Sequence, residues 1–168
     1  METELNIGLG FSALSDEQQG SFLPSPVPVL VRFETGKCVY KWTEFPLVNP
    51  RKGTISEYWF PWESIKIGLQ EIGGFKEFRI RHRNVGGGVG RPQEAARSLA
   101  AVTEQWNGMG SILKAQFLKP VWGFLGRTRW QRKFKDPEHP VELENVFFIG
   151  GAYQVVIPRL SSEWIKQV

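Results

Sequence analysis

Apolar and polar positions alternate most cleanly in two early runs, residues 29–34 and 37–45, which are rich in β-branched and aromatic side chains. Thr35-Gly36 lies between them and suits a tight turn, so the pair predicts a β-hairpin. Pro46 and Pro50 end the second run, and residues 54–60 predict a third strand. Pro61 then suits a first helical position. Trp62, Ile65 and Leu69 fall on one face of a short helix that Gly73-Gly74 would stop. Residues 75–83 alternate again, with Phe75, Glu77, Arg79, Arg81 and Arg83 on one side and Lys76, Phe78, Ile80 and His82 on the other. The pattern then switches to helical period. Ala95, Ala96, Leu99, Val102, Thr103 and Trp106 form one apolar stripe, Pro92 and Glu94 suit the first turn, and Asn107-Gly108 suits the stop.

Beyond this helix the pattern is less decisive. Residues 110–118 fit either helix or strand, and Pro120, Gly123 and Gly126 predict a loop carrying Trp122 and Phe124. Residues 127–135 are strand-like, 136–140 form a Pro-bounded turn, and 141–149 with 152–157 predict paired strands around Gly150-Gly151. Residues 161–167 predict a closing helical turn. The first 28 residues are glycine-interrupted and Pro-rich, and predict an irregular arm with a short helix near 12–19 capped by Ser12. Assembled, these elements predict one α+β domain over 29–168. It would be a mainly antiparallel sheet with one principal helix, about 92–107, packed on it.

Composition narrows the partners. A chain of 168 residues is long enough for one packed core. The net charge of +4 is unevenly placed. Four acids and no base occur up to Glu17. Six Lys/Arg fall between Lys76 and Arg97, and seven fall between Lys114 and Lys135 with no acid among them. Such blocks attract phosphates or acidic surfaces, although they also serve as solvated faces. Cys38 is the single cysteine, which excludes an internal disulfide, and its apolar run predicts a buried, inert thiol. Neither a signal-peptide pattern nor an apolar run of about 18 residues is visible, so the expected compartment is cytoplasmic, with no membrane partner.

The candidate phosphate-binding loop is Gly86, Gly87, Gly88 and Gly90, between the arginine strand and the helix. It lacks the Gly-Lys-Ser/Thr of a Walker loop. It is not a dinucleotide fingerprint either, because Arg91 stands where the third glycine belongs. Arg83-Asn84-Val85-Gly86-Gly87-Gly88 resembles the Arg-x-x-Gly-x-Gly pyrophosphate loop of the GCN5-type N-acetyltransferases, and the 122–127 segment is similar to that family's late Gly-Phe segment. This resemblance covers about a quarter of the chain. It implies a coenzyme A-dependent N-acyltransferase, with Val85, Gly86, Gly88 and Gly90 as cofactor contacts. The sequence departs from the family in its strongly cationic preceding strand, in Pro92 so soon after the loop, and in lacking a convincing N-terminal helix pair. His82 and His139 have no shared ligand spacing, and Glu142 and Glu144 on one strand face suit general bases or ion pairs.

The first expectation is instead a non-enzymatic binder of single-stranded RNA or DNA, or a small subunit of a nucleoprotein complex, which needs no cofactor or metal. Arg79, Arg81, Arg83, Arg91, Arg127, Arg129, Arg132 and Lys133 would supply a phosphate-binding stripe. A pleated ladder spaces alternate arginines by about 6.6–7 Å, close to phosphate spacing. Trp130 or Phe134 would stack an unpaired base.

Overall fold

A computed structural model describes residues 3–72, 74–75, 111–129, 131–132, 147–148 and 152–168. Their strands are β1 (Val29–Phe33), β2 (Cys38–Thr43), β3 (Tyr58–Pro61), β4 (Ile65–Ile67), β5 (Gln70–Ile72), β6 (Ser111–Phe117), β7 (Val121–Arg127), β8 (Gln131–Arg132), β9 (Phe147–Phe148), β10 (Tyr153–Val156) and β11 (Ile165–Gln167). Seven of them form one antiparallel sheet in the order β1-β7-β10-β3-β2-β6-β11, while β4-β5 and β8-β9 form two small ladders.

β3 pairs with β10 on one side and β2 on the other, so it is shared by the two halves of the sheet. The halves fold over one core. Phe33 of β1 packs on Phe117 of β6 with ring centroids 5.4 Å apart, although those strands lie far apart in sheet order. Val39, Trp59, Leu113, Ala115, Val121, Leu125, Val155 and Ile157 fill the space between them. The first half buries its other face as well. Phe124 of β7 and Val156 of β10 pack there against Leu14 and Phe22 of the N-terminal segment. With both faces covered, β7 reads as a nearly continuous apolar run rather than as an alternating one.

The N-terminal segment is pinned by its own backbone and side chains. Leu5 is 2% exposed within the main core, and its backbone exchanges hydrogen bonds with Pro120 and Trp122. Asn6, with φ of 62°, donates from Nδ2 to the Pro158 carbonyl at 2.8 Å and accepts from the Arg159 guanidinium. The Glu57 carboxylate accepts from Gln18 Nε2 and from the Arg159 backbone N–H, tying this segment to the end of β10. The short helix α1 (Asp16–Gly20) is capped by Ser15 in a capping box with Gln18, whereas Ser12 lies in a 3-10 turn, Phe11–Ala13.

The structure corrects several expectations. The α+β class with a principal helix packed on the sheet gives way to a mostly antiparallel β fold. Among the described residues, α1, the 3-10 turn and the pair Gly74 and Phe75 are helical, so Phe75 does not open the expected strand, and residues 92–107 lie outside the described residues. The strands of the expected first hairpin exist but do not pair with each other. β1 pairs with β7 and β2 with β3 and β6, so Thr35-Gly36 turns a corner between the halves. The helix expected after Pro61 is the β4-β5 hairpin. Ile65 and Ile67 alternate onto the core, Gly68 supplies φ of 62° for the two-residue turn, and Leu69 is left fully exposed. Residues 161–167 end in strand β11 rather than a helical turn, and 110–118 resolve as β6. Where residues 141–149 are described, Phe147–Phe148 pairs with Gln131–Arg132 rather than with β10.

The loop expected at 120–126 is strand β7, with β1 and β10 on either side. Its glycines answer to crowding rather than to a turn. A Cβ on Gly123 would lie 2.7 Å from Val155 Cγ1 and 2.8 Å from Ile157 Cγ1. Gly123→Ala is therefore predicted to destabilise the fold by about 1–3 kcal/mol through over-packing, measured by urea denaturation with an unchanged m-value.

Candidate functional site

Cationic side chains in this fold repeatedly lie over aromatic rings. Lys114, on β6 opposite Tyr40, places its Nζ 4.2 Å from the Trp62 ring centroid. Trp62 is itself stacked on Phe75, with centroids 5.0 Å apart and planes 13° from parallel, and Tyr40 meets both rings edge-on. Outward alternation of β2 and β6 places this group on the side away from the main core, since Val39 and Ala115 face inward. Arg127, the last residue of β7, sits opposite Tyr153 and places its guanidinium carbon 4.3 Å from that ring. Tyr153 packs on the edge of the core, so the guanidinium lies over a partly buried ring. Arg51 lies 5.3 Å over Phe45, and Lys119 lies 4.9 Å over Trp164. In each pair the ring quadrupole attracts the cation over its face.

Charge pairing sorts these cations. Arg32 bonds both Glu4 and Glu34, and Lys119 bonds Glu163 at 2.8 Å, so their charges are already matched. The Arg32 guanidinium, followed by the Trp122 indole N–H, holds the Glu4 carboxyl down at about 2. Lys114 and Arg51 have no carboxylate within ion-pair distance among the described residues.

Of the residues singled out in the sequence, Arg127 ends β7, Arg129 follows two residues later, and Arg132 lies in the separate β8-β9 ladder. Thr128 between the first two is fixed by its bridge to Phe22 and its N–H to Ala152, and the Arg129 backbone N–H donates to Ser21. The Arg129 side chain is exposed, and Arg132 is paired with Phe147 in β8-β9. Arg79, Arg81, Arg83, Arg91, Trp130, Lys133, Phe134 and the loop glycines Gly86, Gly87, Gly88 and Gly90 lie outside the described residues, as do His82, His139, Glu142 and Glu144. Cys38 is buried, and burial followed by the Glu63 carboxylate pushes its thiol up, away from the reactive thiolate. Among the described residues no cluster of His, Cys, Asp and Glu has the makings of a metal site, and no helix is long and apolar enough to cross a membrane.

Sequence reasoning passed over Lys41. On β2 it follows Val39 and precedes Thr43 on the core-facing side, and its Nζ sits 5.7 Å from the Trp59 ring. It donates to Ser56 Oγ at 2.7 Å and has no carboxylate partner among the described residues. A lysine in the inward register of an otherwise apolar strand was the signal available. Loss of water around the ammonium, with Lys52 as a second positive charge, brings its pKa down to about 8.

The sign of the pH effect follows directly. The unfolded chain binds the Lys41 proton more tightly, so folding carries the full penalty below about pH 8 and is relieved as pH rises from there towards 10.5. Lys41→Met is predicted to raise the melting temperature at pH 7, with a gain that shrinks across that window, measured by thermal denaturation of both proteins against pH. No family model matches the chain, and no curated protein or solved structure matches it.

Proposed function

We propose that this chain is a non-enzymatic binder of single-stranded nucleic acid. One observation carries the reading: the Lys114 ammonium lies 4.2 Å over a half-buried Trp62 stacked on Phe75, with no carboxylate among the described residues to neutralise it. An ammonium held on an aromatic stack and unmatched by a described carboxylate suits a phosphate of the strand. Phe75 is also where the chain enters the block that carries Arg79, Arg81, Arg83 and Arg91. Arg127 over Tyr153 offers a second planar cation, and guanidinium planes stack bases as aromatic rings do. A role as one subunit of a nucleoprotein complex is compatible with the same surface.

Fluorescence anisotropy with a labelled single-stranded oligonucleotide tests this. Affinity is predicted to fall steeply between about 50 and 200 mM salt, with Lys114→Gln and Arg129→Gln each lowering the slope of log K against log salt by about 0.7. Absence of wild-type binding at the lowest salt, or slopes unchanged in the double variant, contradicts the proposal.

A further inference from the structure

We propose that Lys41 is a reactive amine site of this protein, one that condenses reversibly with small aldehydes to give an imine. The site is independent of the nucleic-acid surface, because Lys41 points to the core side of β2 whereas Tyr40 and Lys114 lie on the other side.

Three features of the geometry carry the assignment. First, the amine lies against Trp59, which is 1% exposed, so the charged form loses hydration, although the residue as a whole is only partly buried. Second, no described carboxylate compensates that loss, and the second electrostatic influence on it is another cation, Lys52. Third, its hydroxyl partner is already committed. Ser56 Oγ donates to the Tyr58 carbonyl at 3.2 Å and accepts from the Tyr58 backbone N–H at 3.2 Å. Towards Lys41 this hydroxyl therefore acts as an acceptor, at 2.7 Å. In the neutral amine one N–H is held by Ser56, and the nitrogen lone pair is directed away from it. A lysine desolvated in apolar surroundings beside another cation is a recognised arrangement for an amine nucleophile.

The step balances without a redox partner. The Nζ lone pair attacks the carbonyl carbon, forming the C–N bond while the C=O π electrons move to oxygen. Proton transfer from nitrogen to that oxygen gives a carbinolamine. Loss of water then leaves the C=N bond, and hydrolysis reverses the sequence. Small aldehydes fit best, since the Trp59 ring and the Ser56 hydroxyl lie close to Nζ.

The test treats folded wild-type protein at pH 7 with a sub-stoichiometric amount of carbon-13 formaldehyde and a mild borane reductant to trap the imine. Labelled peptides are then quantified by mass spectrometry. Lys41 is predicted to carry at least about tenfold more label than the exposed Lys37, Lys52 and Lys66, because its amine is desolvated beside Trp59. Its labelling rate should level off above about pH 8. Equal labelling, or labelling led by the exposed lysines, overturns the proposal, as does a Lys41 rate that still climbs above about pH 9.

Discussion

The burial of Trp59 in the middle of β3 is the constraint on which the rest of this structure depends. β3 has four residues, yet it pairs on both edges and joins the two halves of the sheet. The indole fills the space between the halves, with Val155 beside it in register. Its N–H donates to the Ser56 carbonyl at 2.7 Å, so the large apolar area is buried without leaving a polar atom unsatisfied. The same short connection then supplies Ser56 Oγ for Lys41 and Glu57 for Arg159 and Gln18. Core, N-terminal segment and buried lysine thus meet within four residues of chain.

Some strands were legible in the sequence as short runs rich in β-branched and aromatic residues. β1, β2 and β10 lie within the segments that alternation and β-branched content pointed to. Their partners were not legible, because pairing here is set by how two halves fold over a core. The hairpin turn at Thr35-Gly36 is locally sound chemistry put to use as a corner. β7 was hidden for a different reason. Glycine and proline ordinarily punctuate loops, but Gly123 and Gly126 are small because Val155, Ile157 and Phe22 press against them. The β4-β5 hairpin illustrates period ambiguity, since Ile65 and Leu69 suit a helical face while Ile65 and Ile67 suit a strand face.

Of the site, the sequence indicated the charges and missed their setting. Arg127 and Arg129 were visible as part of a basic block, but not that Arg127 would lie over Tyr153. Lys114 was one more cation until the fold placed it on Trp62. Carboxylates then divide the surface. Arg32 and Lys119 are matched by acids and serve the fold, while Lys114 and Arg51 lie on aromatic rings with no carboxylate partner among the described residues. Lys41 belongs to neither group, because the core side of β2 strips it of water and gives it a hydroxyl instead of a counter-charge.

A rigid frame around Trp59 carrying a separate cation–aromatic binding surface is the central claim, and nitrogen-15 NMR during titration with a single-stranded oligonucleotide tests it most directly. The account predicts that the Trp62 indole and the amides of Lys114, Arg129 and Tyr153 shift progressively while the Trp59 indole resonance stays in place. It is contradicted if no resonance moves, or if the Trp59 indole moves together with the surface.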